Sequence, residues 1–125
     1  MDKRNTKQKA AIRDAFRKAD RPLSPEEALQ YALQYHPAIG IATVYRNIQT
    51  LVEDGWLASV ELPGGSTRYE LAGKGHHHHF QCDACGKVFA LKGCAVPVKP
   101  KLPHGFSTSG HEFFLYGNCS SCNAD

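Results

Sequence analysis

Apolar residues recur along the first half of the chain at helical intervals. Over residues 6–19, Ile12, Phe16 and Ala19 fall at i, i+4 and i+7, one stripe of a helix, and Pro22 ends the run. Ser24-Pro25-Glu26-Glu27 then reads as a helix start. Ser24 can cap, Pro25 occupies a first-turn position where its missing N–H costs nothing, and Glu27 closes a capping box. This second helix should run to about Tyr35 and bury Leu29, Ala32 and Leu33, before Pro37 and Gly40 mark a loop. A third helix is expected over 42–54, with Gly55 as its stop. Val44, Ile48, Leu51 and Val52 form its apolar stripe. Thr43, Arg46, Asn47 and Thr50 form a donor-rich polar face, without an acid until Glu53.

The period then changes. Residues 56–62 and 67–71 read as strands, joined as a hairpin by Pro63-Gly64-Gly65-Ser66. Three helices followed by a hairpin predict a winged helix-turn-helix, whose third helix enters the DNA major groove. A small α+β domain with no DNA role fits the same pattern. Ala72-Gly73-Lys74-Gly75 is a glycine-containing connector and an expected hinge. Further strands are expected over 77–82, 87–91 and 107–116, while Pro97, Pro100 and Pro103 argue against a regular helix between them. The fold class is therefore α+β. A winged helix-turn-helix domain covers residues 1–71, the hinge 72–75, and a small C-terminal domain 76–125.

Charge sharpens the first half. The net charge is only +3, but eight basic residues up to Arg21 face three acids. Such a local excess suits a polyanion such as DNA, although it also describes a solvated helix face. No apolar run approaches the roughly 18–20 residues that cross a bilayer, and the charged N-terminus lacks the apolar core of a signal peptide. A cytoplasmic protein without a membrane partner is expected.

The second half carries the chemistry. Cys82-Asp83-Ala84-Cys85-Gly86 and Cys119-Ser120-Ser121-Cys122 are two C-x-x-C turns 33 residues apart. Each can present two thiolates to a tetrahedral ion, so Cys82, Cys85, Cys119 and Cys122 predict a structural zinc site. No βαβ pattern surrounds them to favour a redox pair. In a domain this small, metal binding supplies folding free energy. Just upstream stands His76-His77-His78-His79. In a strand, His77 and His79 share one face and His76 and His78 the other, so one run can feed two metal sites. Neutral imidazole suits zinc, ferrous iron and nickel alike. Glu70, Cys94, His104, His111 and Glu112 are further possible ligands. His111 lies in the expected last strand, whose pairing would bring it near the histidine run. Cys94 reads equally as a small buried apolar residue.

These features together resemble the ferric uptake regulator family. The matching stretches are Gly40-Ile41-Ala42-Thr43-Val44-Tyr45-Arg46, Arg68-Tyr69-Glu70-Leu71, His76 to Gly86, and His111 through Leu115-Tyr116-Gly117 to Cys122. They cover nearly the whole chain in order. The resemblance implies a homodimer joined through a C-terminal α/β, zinc-containing domain. Its winged helices bind an AT-rich palindromic operator. Tyr45 is then the thymine contact, Arg46 contacts a base or phosphate, and Arg4 is the basic residue that enters the minor groove. The polar face alone supports Arg46, with Thr43 and Asn47 beside it, but leaves Tyr45 open between groove and core.

The resemblance also implies a regulatory hinge site of Glu70, His77 and His79. A second site takes His76, His78 and His111. Two family ligands are absent: Pro22 stands in place of a histidine and Ala90 in place of an acid. The acid of the second site is missing too, and Cys94 is the nearest candidate in its stead. A thiolate there favours zinc over ferrous iron as the regulatory divalent metal.

The expected function is a metal-dependent transcriptional repressor of metal-homeostasis genes, with the metal as corepressor. The alternative is a constitutive winged-helix DNA-binding protein with a purely structural zinc. A metallohydrolase needs an open zinc site with a placed general base, and the chain shows no substrate-pocket signal.

Overall fold

The computed structural model describes residues 3–75, 77–93 and 101–123, the side chains of residues 3–5 excepted. Its elements are α1 (Lys3–Ala19), α2 (Pro25–Ala32), α3 (Ile41–Glu53), β1 (Leu57–Glu61), β2 (Thr67–Leu71), β3 (His77–Cys82), β4 (Val88–Lys92) and β5 (Phe114–Gly117). They divide into two units, Met1–Gly73 and Lys74–Asp125.

In the first unit the helical stripes meet. Ile12 and Phe16 of α1, Leu23, Ala28 and Ala32, and Val44, Ile48 and Leu51 of α3 share one buried core. Each large side chain removed from water there contributes about 1.5–3 kcal/mol. The α2 start forms as its sequence dictates: Ser24 Oγ accepts from the Glu27 N–H at 3.1 Å, and Glu27 Oε1 accepts from the Ser24 N–H at 3.0 Å. Ser24→Ala is expected to cost about 0.5–2 kcal/mol of stability, read as a lower melting temperature.

Helix α2 ends at Ala32, short of the expected Tyr35. The chain tightens there, with Gln34 N–H on Tyr31 O and Tyr35 N–H on Ala32 O. These bonds reach three residues back instead of four, so the α-helical ladder gives way to a tighter turn. Helix α3 closes as expected on Gly55, at φ 79°. The Gly55 N–H reaches Val52 O and the Trp56 N–H reaches Leu51 O, the paired bonds of a Schellman stop.

Strands β1 and β2 pair antiparallel, Leu57 opposite Leu71 and Glu61 opposite Thr67. Leu23 also exchanges both backbone hydrogen bonds with Tyr69, each 2.8 Å, fastening the α1–α2 turn to the hairpin. Beside this bridge Arg21 is buried, with Nη2 3.0 Å from Glu27 Oε2, and Arg68 approaches the other carboxylate oxygen at 3.6 Å. Arg21 therefore does not belong to the basic surface. Arg13 and Arg17 lie over the Trp56 ring, 5.7 and 5.3 Å from its centroid, so part of the α1 charge serves packing.

The second unit is a three-stranded sheet in the order β4-β3-β5. Strand β3 runs antiparallel to β4 and parallel to β5. The last strand is much shorter than the expected 107–116. Its first part folds on itself instead: the Thr108 hydroxyl donates to Gly110 O at 3.1 Å and accepts from the Gly110 N–H at 3.4 Å. Such local side-chain bonds compete with a strand ladder.

Candidate metal centre and nucleic-acid interface

The parallel pairing of β3 and β5 sets Cys82 opposite Gly117, so the turns leaving both strands emerge at one end of the sheet. Each turn carries a C-x-x-C pair. The Gly86 N–H returns to Cys82 O, with Gly86 at φ 75°, where glycine carries no steric penalty. In the second turn the Cys122 and Asn123 N–H groups both reach Cys119 O. The four sulfurs consequently lie within 4.8 Å of one another.

The donor set fits zinc. A tetrahedral ion at a Zn–S distance of about 2.3 Å requires S–S edges of about 3.8 Å. The Cys85 and Cys119 sulfurs are 3.9 Å apart. Backbone N–H groups of Cys119 and Cys85 both point at Cys82 Sγ from 3.4 Å. They lower this thiol to about 6, favouring the thiolate that a metal binds. Hydrogen bonding to the sulfurs of Cys119, Cys82 and Cys85 holds the Cys122 proton on, up to about 12. Four crowded thiols do not all ionise unaided, and a divalent cation among them resolves that conflict.

Strand alternation sorts the histidines. His77 and His79 are half-buried on one face, their ring centroids 4.8 Å apart. His77 Nδ1 lies 2.9 Å from Gly75 O; with its proton there, Nε2 carries the lone pair a metal needs. On the other face His78 is buried, and its Nε2 lies 3.2 Å from Nε2 of His111. Nitrogens sharing a tetrahedral ion at about 2.0–2.1 Å stand about 3.3 Å apart. Phe113 flanks both rings, with centroids 5.2 and 5.3 Å away. His111 therefore reaches the run, but from the segment preceding β5 and not from a strand. Glu70 is buried in β2, opposite Ala58. His76 and Cys94 lie outside the described residues, as does the side chain of Arg4 in α1.

On α3, Tyr45 is 50% exposed, which removes it from the core, and Arg46 is exposed beside it. Arg46 Nη2 donates to Thr43 Oγ1 at 3.1 Å, and the Thr50 hydroxyl donates back to Arg46 O. Asn47 departs from the expected polar face. It is buried, and its amide donates to Thr43 O at 2.8 Å. Its position between Val44 and Leu51, at i+3 of the apolar stripe, was the signal for this. Glu26 of α2, which no local pattern links to this face, adjoins it: the Tyr45 hydroxyl donates to Glu26 Oε1 at 3.0 Å. That bond, with the Glu26 charge, raises the phenol above its ordinary pKa.

No helix among the described residues is long and apolar enough to cross a membrane. The family model of the ferric uptake regulator family matches residues 1–116. The ferric uptake regulation protein of Campylobacter jejuni subsp. jejuni is 34% identical over 123 residues, covering 94% of this chain and 78% of that protein. The structure of the Helicobacter pylori ferric uptake regulator superposes with a TM-score of 0.65 at 23% identity, over 95% of this chain and 81% of that one. A zinc uptake regulator of M. tuberculosis gives a TM-score of 0.52 at 26% identity, over 96% and 95% of the two chains. With its winged helix, four-cysteine cluster and paired histidines, the chain belongs to the ferric uptake regulator family of metal-responsive transcription regulators.

Proposed function

We propose that the chain is a cytoplasmic, homodimeric repressor of metal-homeostasis genes that binds an AT-rich palindromic duplex, with zinc, in preference to ferrous iron, as corepressor. The observation that carries this reading is the sorting of the histidine run, with His77 and His79 on one face of β3 and His78 with His111 on the other. A structural zinc site alone gives no reason for either pair.

Glu70 stands near the end of the wing, and His77 follows seven residues later across the connector 72–75. Glu70, His77 and His79 are the proposed regulatory ligands. A divalent cation bound by them supplies a fixed cross-link between wing and sheet. Held at those three side chains, the connector loses freedom. The fraction of dimers whose recognition helices match successive major grooves then rises. His76, His78, His111 and Cys94 are the proposed second set. The thiol among them favours zinc, the ion named for the M. tuberculosis relative, over the iron named for the C. jejuni one.

Tyr45, Arg46 and Thr43 are the proposed reading surface of α3, with Arg4 in the minor groove. Asn47 supports that surface from beneath by fixing the first turn of the helix. Lys7 and Lys18, both exposed on α1, add salt-dependent attraction to phosphate. Arg46→Ala is expected to lose about 1–3 kcal/mol of sequence-specific affinity while the dimer persists on size exclusion. An unchanged footprint on duplexes selected by the wild-type protein would count against this interface.

A further inference from the structure

We propose that Glu26 is a positioning residue that sets how Tyr45 reads a base, holding the phenol in place and engaging its only hydroxyl proton. The proposal rests on the DNA-reading role given to Tyr45 above. Glu26 and Tyr45 sit on different helices, 19 residues apart, and meet at 3.0 Å between Oε1 and the hydroxyl. The α2 cap does not use this carboxylate, since Ser24 is bonded by Glu27. A half-exposed tyrosine otherwise samples several rotamers, and a charge-assisted O–H···O bond selects one.

The bond also fixes what Tyr45 offers to DNA. A phenol has a single donor proton, and here it points to Glu26. The groove-facing side of Tyr45 is left with its ring and an accepting oxygen. A thymine methyl meets the ring, and the amino group of adenine or cytosine meets the oxygen. Guanine presents two acceptors, N7 and O6, and finds no donor. Glu26 therefore turns a residue able to accept guanine into one that rejects it. The same bond raises the phenol's pKa, consistent with a held proton.

The test is selection from a random duplex pool by the full-length protein with its zinc and added zinc chloride, using wild type, Y45A, Y45F, E26A, E26Q and E26A/Y45F. Y45A is expected to lose its base preference at one position per half-site. E26A should fold and melt like wild type, while its discrimination against guanine at that position, read as a ratio within the same selection, should fall about three- to tenfold. E26Q keeps an accepting oxygen and should retain the wild-type preference. E26A/Y45F has no hydroxyl to donate and should exclude guanine again. If Y45A alters the selected sequence while E26A does not, the role of Glu26 is overturned and the reading surface stands. If Y45A and wild type select the same sequences, both fall. If E26Q behaves as E26A, the carboxylate acts by its charge and the positioning role is overturned.

Discussion

The Cys119→Ser variant should purify without its zinc and with the C-terminal sheet unfolded. Cys119 is central to the cluster: its sulfur lies 3.9 Å from that of Cys85, and its N–H helps hold Cys82 as a thiolate. The sheet is small, and its largest fully buried side chains are Val88 and Cys82, one of them a member of the cysteine cluster. Structural zinc contributes an apparent 10–16 kcal/mol in small domains, roughly equal to or above a typical folding stability of about 5–15 kcal/mol. Losing one of four ligands therefore removes the unit's main source of order. Metal analysis and circular dichroism of the variant check this, with limited proteolysis to follow the winged unit, whose core is helical and independent of the cysteines. Retention of the sheet without zinc would show that packing alone holds it.

The second large effect is expected at the histidines. His77→Ala, with His79→Ala beside it, should abolish the response of DNA binding to metal while leaving the four-cysteine zinc in place. The two rings share a face of β3, whereas the cysteines gather at its far end, so one set can be removed without the other. Allosteric couplings typically amount to about 1–3 kcal/mol, and the variant should lose that gain in affinity. His78→Ala is the informative partner, since it removes the His78–His111 pair on the other face and leaves His77 and His79 in place. Titration of each variant with buffered zinc separates the two sets. A wild-type response in the His77→Ala protein would remove that residue from the regulatory site.

Much of this was legible in the sequence because it rests on local rules. The Ser24 capping box, the Gly55 stop, the β1–β2 hairpin and the alternation of His77, His78 and His79 each depend on neighbours within a few residues. C-x-x-C spacing likewise reports which sulfurs can share an ion. What escaped depends on contacts distant in sequence. Nothing local indicates that β5 runs parallel to β3, which is what brings the two cysteine turns to one end. Nor does it reveal that Arg21 is spent on Glu27, that Leu23 bridges to Tyr69, or that Tyr45 is tethered to Glu26. Asn47 escaped for a different reason. A polar residue in an apolar stripe can be satisfied by the carbonyl four residues back, so polarity alone misplaced it.

The central claim is that metal bound outside the four-cysteine cluster switches DNA binding on. It is tested most directly by fluorescence anisotropy of a duplex selected by the wild-type protein. The protein keeps its structural zinc, has its looser sites stripped, and is titrated anaerobically with buffered zinc and, separately, ferrous iron. The expected result is a tightening of about 5- to 150-fold, reached at a lower buffered free concentration of zinc than of ferrous iron. Equally tight binding before any metal is added would contradict the account and leave a constitutive DNA-binding protein with a structural zinc.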